Sequence, residues 1–148
     1  MTTRKGLIAF AVVAILLSAM PAEAQWVMVA RAVSGRIQQM TNKPSNGAGY
    51  DVATVVLEAN ADKVYETAVS SLQRHTEITI TDKNANKREV KFAKGEQVAS
   101  LQAIPLGDKL TQLVIASNLT DTQPSPTSLV VQGVLKVCTD MQVSCTLE

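Results

Sequence analysis

His75 is the only histidine in the chain, which makes it the first residue to test for acid–base chemistry near neutral pH. It follows a helical stretch, where a cation would also complement the negative end of the helix dipole. No Ser, Cys or Asp stands at a motif spacing from it, so capping or surface duty is the expectation rather than catalysis. Carboxylates are scattered singly, at Asp51, Glu58, Asp62, Glu66, Glu77, Asp82, Glu89, Glu96 and Asp108. A pair of them could do glycosidase-type chemistry, but linear order brings no two together, and solvated surface charge is the plainer expectation. GxGxxG, P-loop, HExxH and GxSxG patterns are absent. The reading is that of a protein that is not an enzyme, with no catalytic residue, no metal and no cofactor.

The other reactive groups are Cys138 and Cys145, the two cysteines of the chain. Two thiols and one distant His fall short of the four ligands of a structural zinc site. An even count in an exported chain points to a disulfide instead. Seven residues of continuous helix would hold the two Cα atoms about 10.5 Å apart, whereas a disulfide needs roughly 4.4–6.8 Å. The bond therefore requires the helix to stop near Asp140 so that MQVSC folds back.

Export is read from the N-terminus. Arg4 and Lys5 precede an apolar run at 7–17, and Ala22-Glu23-Ala24 places small residues at the cleavage positions. That order is the signature of a secretory signal peptide, and the run is too short to cross a hydrocarbon core of about 30 Å. Residues 1–24 are expected to be removed after Ala24, leaving no membrane segment and a periplasmic or secreted protein. Cleavage removes two of the 14 basic and one of the 13 acidic residues, leaving twelve of each. A balanced chain offers nucleic acid no electrostatic attraction. Aromatics at 3% also leave few stacking platforms, so the core must be built from Val, Ile, Leu and Ala.

The elements that would position any site follow from periodicity. Trp26, Val29, Val33, Ile37 and Met40 recur three or four apart, predicting an N-terminal helix within an arm and loop at 25–49; VSGRIQQM alternatively reads as a strand pairing with the next one. TNKPSNGAGY reads as a loop. Residues 51–58 (DVATVVLE) form a β-branched strand. Asn60 is a helix N-cap, and Val64, Tyr65, Ala68, Val69 and Leu72 make an apolar stripe on a helix at 61–74. Ile78 and Ile80 alternate with Thr79 and Thr81, and Val90 and Phe92 with Glu89 and Lys91, as in half-buried strands. Lys94-Gly95-Glu96 closes a hairpin, a strand at 97–104 ends at Pro105, and another runs over 110–117. Pro126 opens a C-terminal helix reaching Asp140.

Two surfaces remain as binding candidates. Lys83, Lys87, Arg88, Lys91 and Lys94 concentrate on one hairpin; interleaved acids favour edge-strand protection over a site for an anionic partner. A pocket between helix and sheet would be lined by Tyr65, Val69, Leu72, Phe92, Leu101 and Ile115, although a filled core is the plainer expectation for so small a domain.

The segments VVLEANADKVYETAVSSLQRH and QAIPLGDKLTQLVIAS, with the paired cysteines, resemble a bacterial family of small exported proteins of unknown function. The resemblance implies an envelope location and a strand–helix–three-strand core, and transfers no catalytic residue. The absence of a lipobox cysteine departs from lipoprotein relatives. The expected fold is α+β: a four-stranded, largely antiparallel sheet (β-α-β-β-β) with one packed helix, a C-terminal helix and an N-terminal helix, in a single domain at 50–148. The expected role is a binding or protein-interaction module of the bacterial envelope, its partner an envelope protein, or alternatively a carrier of a small apolar ligand.

Overall fold

The computed structural model describes residues 34–43, 45, 49–119 and 128–148. Seven strands and two helices follow in the order β1 (Arg36–Asn42), β2 (Tyr50–Leu57), α1 (Ala61–Gln73), β3 (Thr79–Asn84), β4 (Glu89–Lys94), β5 (Gln97–Gly107), β6 (Leu110–Asn118), α2 (Leu129–Met141) and β7 (Thr146–Leu147). The strands form one sheet in the spatial order β3-β4-β5-β6-β2-β1-β7. Every pairing is antiparallel except that of β1 with β7.

This architecture overturns the expected four-stranded sheet with one packed helix. All five β segments legible in the sequence enter the sheet, and β1 and β7 extend it beyond β2. The helical spacing of the N-terminal arm is misleading over its last part. Ile37 is fully buried while Met40 is 66% exposed, because residues three apart on a strand point to opposite faces. Pairing with β2, from Gln38 opposite Thr54 to Asn42 opposite Tyr50, decides the matter in favour of the strand alternative. The rest of the expected N-terminal helix, at 25–33, lies outside the described residues. The C-terminal helix is no appendage: α2 packs on β2 and β6, and α1 on β5 and β6.

Strand β2 alternates strictly, with Asp51, Ala53, Val55 and Leu57 buried toward the helices. The same phase in β6 buries Thr111, Leu113, Ile115 and Ser117. Ala68 and Val64 of α1 and Val130, Val134 and Val137 of α2 close the core over them. Aliphatic burial of this kind is worth about 1.5–3 kcal/mol for each fully buried Val, Leu or Ile. Strand β5 does not end at Pro105 but runs on to Gly107, with a register shift between those two residues. The proline is tolerated there because β4 pairs with β5 only as far as Gln102, so no neighbour on that side asks for the missing N–H.

Both helices start on side-chain caps. Asn60 Oδ1 accepts from Asp62 N–H at 2.9 Å, and Ser128 Oγ from Val131 N–H at 3.3 Å, so α2 starts three residues beyond the expected proline start. Helix α2 ends at Gln142, whose left-handed backbone (φ 58°) turns the chain back. Val143 N–H then reaches Cys138 O at 3.0 Å, and Cys145 comes within 6.1 Å of Cys138, Cα to Cα, to form the disulfide. The helix stops where the bond requires it to.

Candidate functional site

A cleft of about 320 Å³ lies between the sheet and the two helices. Its floor comes from β4, β5 and β6 through Phe92, Leu101 and Ile115, and Leu72 of α1 closes one side. Leu129, Val130, Gly133 and Val137 of α2 form the roof. The space has a local cause in the register. Phe92, Ala99 and Ser117 stand opposite one another across β4, β5 and β6, and the two small side chains leave room that larger ones would fill. Helix α2 cannot settle into that room, because at Gly133 its backbone already lies against Ile115: a Cβ on the glycine would stand 3.0 Å from Ile115 Cδ1.

The mouth is polar. His75, Glu77, Lys94, Gln97, Gln132 and Lys136 line it. Glu77 accepts from Lys94 Nζ at 3.3 Å, and His75 Nδ1 stands 3.9 Å from the same carboxylate. The Glu77 carboxyl is held below its ordinary range, first by a backbone N–H and then by Lys94. Asp140 takes Arg74 Nη2 at 2.6 Å and Lys136 Nζ at 3.2 Å. The Ser71 hydroxyl, before either cation, lowers its carboxyl.

Of the six residues expected to line a pocket, Leu72, Phe92, Leu101 and Ile115 surround the cleft. Tyr65 and Val69, on α1, are buried in the core instead. Tyr65 Oη is buried without a hydrogen-bond partner among the described residues, and burial, then Asp82, pushes its pKa up. The α2 residues of the roof were not among the expected lining. The apolar spacing of this helix was visible, but nothing local indicated which part of the sheet it would cover.

The remaining polar candidates fall elsewhere. His75 is 40% exposed at the mouth, close to Glu77. Asp51 is not a solvated carboxylate: it is 1% exposed, and accepts from Gln39 Nε2 at 3.0 and 3.1 Å and from Thr41 Oγ1 at 2.7 Å. Its phase with Ala53, Val55 and Leu57 is the signal that it faces inward. In the basic hairpin, Arg88 pairs with Asp62 at 2.6 Å and Lys91 approaches Glu89 at 4.0 Å. Among the described residues, no cluster of three or more His, Cys, Asp or Glu is placed to hold a metal ion. Nor is any helix there long and apolar enough to cross a membrane.

A twisted antiparallel sheet closing on a C-terminal helix defines a helix-grip-like fold. Among solved structures the chain is similar to a conserved protein of unknown function from Enterococcus faecalis, at TM-score 0.54 and 11% identity over 83% of this chain and 84% of that one. That likeness concerns the fold alone. Weaker similarities are to the Zhui aromatase/cyclase from Streptomyces sp. R1128 (TM-score 0.38, 11% identity, 72% of this chain and 85% of that one). Another is to a START superfamily protein from Mycobacterium smegmatis (TM-score 0.35, 14% identity, 65% of this chain and 92% of that one). No family model matches the chain, and no curated protein matches it significantly. Of the expected resemblance, the likeness reaches a bacterial protein of unknown function with a similar fold and does not extend to an exported family or its cysteine pair.

Proposed function

We propose that this chain is a non-catalytic binding module of the bacterial envelope that holds a small apolar ligand between its sheet and α2. One observation carries the reading: the cleft of about 320 Å³ is walled by Leu72, Phe92, Leu101, Ile115, Val130 and Val137. Ligand sites are concave, mostly apolar and about 300–1,000 Å³ in volume, so this one suits a small molecule. The export reading supports the compartment, since the Cys138–Cys145 bond suits an oxidising environment.

The test is native mass spectrometry of the full chain recovered from a bacterial periplasm. The expected spectrum shows a mature chain beginning at Gln25, 2 Da lighter than its reduced form, with a small molecule retained. A companion variant, Ala99→Phe, places a ring in the cleft and is expected to fold normally and lose that molecule. Equal retention by both proteins would overturn the proposal.

A second reading, docking of an envelope protein, draws on the opposite face of the sheet. Met40, Tyr50 and Val98 are 66%, 44% and 54% exposed there. Three such side chains across β1, β2 and β5 can form the apolar centre of a contact. Size measurement of the periplasmic protein separates the readings, because a stable complex would elute well above the monomer.

A further inference from the structure

The cleft carries more information than its apolar walls, because the charges at its mouth do not balance. Four ionisable groups line it, His75 and Glu77 of the segment after α1, Lys94 of β4 and Lys136 of α2, and Lys136 leads on to Asp140 and its partner Arg74. The cations are Arg74, Lys94 and Lys136, joined by His75 when protonated; the acids are Glu77 and Asp140. Asp140 is already held by Arg74 at 2.6 Å and by the Ser71 hydroxyl, so Lys136, at 3.2 Å, is its surplus partner. Glu77 takes Lys94 from a position where each side chain is about half exposed. An exposed pair such as Lys94–Glu77 contributes little to stability, and Asp140 keeps Arg74 when Lys136 leaves it. Both ammonium groups can therefore exchange a carboxylate of the protein for one of a ligand. Beneath them the walls turn apolar through Leu72, Phe92 and Leu101.

We infer that the ligand is an amphiphile with a single anionic head, its apolar body lying in the cleft and its head held at the mouth between Lys94 and Lys136. This rests on the cleft-binding reading above and names the ligand class. Charge complementarity supplies the selectivity, since a neutral head leaves the surplus cation unanswered and a cationic head is repelled. The volume bounds the body: at roughly 30 Å³ for each water-sized group, about 320 Å³ holds on the order of ten heavy atoms. A medium-length carboxylate fits this description.

Calorimetric titration of the full periplasmic chain with decanoate, 1-decanol and decylamine at neutral pH tests the inference. The expected order is decanoate tightest, by about tenfold or more over decanol, with decylamine weakest. In Lys94→Gln/Lys136→Gln the preference for decanoate over decanol is expected to fall below about threefold, while decanol binds as it does to the native protein. Both lysines are exposed, and the unchanged decanol affinity shows that the variant is folded. Equal binding of decanoate and decanol to the native chain, or a preference that survives in the variant, would overturn the head-group inference and leave the cleft reading standing. Failure of all three compounds to bind would overturn both.

Discussion

Gly133 of α2 packs against Ile115 of β6 so closely that a Cβ added to the glycine would lie 3.0 Å from Ile115 Cδ1. Two effects compete in Gly133→Ala. Alanine gains about 0.8–1 kcal/mol of helix propensity over glycine, while the contact demands a shift of a few tenths of an ångström. The contacting atom is the tip of a side chain that borders the cleft, so it can turn into open space. Gly133→Ala is therefore expected to unfold within about 1 kcal/mol of the native protein in urea, and to bind ligand more weakly because Ile115 then occupies the cleft. A loss of several kcal/mol would show that Ile115 cannot move.

The Cys138–Cys145 bond does more than close a short loop. It holds the end of α2 beside β7, whose Thr146 N–H reaches Gly35 O at 2.9 Å and whose next residue, Glu148, donates to Ile37 O at 3.2 Å. By the chain-entropy estimate, losing it costs about 2–3 kcal/mol. Reduction, or Cys138→Ala/Cys145→Ala, is expected to lower stability by that amount and to accelerate hydrogen exchange at Thr146 and Glu148. Amides in β6 should stay protected. Exchange that rises equally in β6 would mean that the bond supports the whole core.

Gly35 is required by both conformation and space. Its φ is +76°, and a Cβ would lie 2.5 Å from the backbone oxygen of Ser144. Neither atom is a flexible tip, so the β1–β7 junction must open to admit a side chain. Gly35→Ala is expected to cost at least about 1–3 kcal/mol in denaturant titration. A neutral result would contradict the position of the C-terminal segment against β1.

Acid sensitivity follows from Glu77 and Asp140. A backbone N–H and then Lys94 depress the carboxyl of the first; the Ser71 hydroxyl, then Lys136 and Arg74, depress that of the second. A carboxylate whose folded pKa lies below its unfolded value stabilises the protein above the unfolded pKa, near 4, and that stabilisation is lost as pH falls through the folded pKa. Stability is expected to be flat from pH 7 to about 5 and to decline below 4. Asp140→Asn should decline less steeply, and an identical acid profile would show that this carboxyl contributes nothing to it.

Much of the core was readable from pattern alone. The stripe Val64, Ala68, Val69 is a local consequence of helix geometry and appears where that geometry puts it. Residues 51–58, by contrast, are apolar in both phases, and only the structure shows that Ala53, Val55 and Leu57 face inward. Four of the six expected pocket residues border the cleft: Phe92, Leu101 and Ile115 face inward on their strands, and Leu72 lies at the end of the α1 stripe. Strand β1 was harder to read, since Ile37 and Met40 fit a helical spacing, whereas on the strand they point to opposite faces. Strand β7, two residues long, has no periodicity to read.

The sequence by itself determined the β-α-β order, the cap at Asn60 and the hairpin at Gly95, the alternation in β3 and β4, and the need for α2 to end before Cys145 could reach Cys138. Those are properties of neighbours along the chain. Only the tertiary structure decided that β1 joins β2, that α2 roofs the sheet, and that His75, Glu77, Lys94 and Lys136 gather at one mouth. Ala99 and Ser117 are unremarkable where they stand in the chain. They leave a cleft because antiparallel register sets them side by side beneath a helix that Gly133 and Ile115 hold at a fixed height.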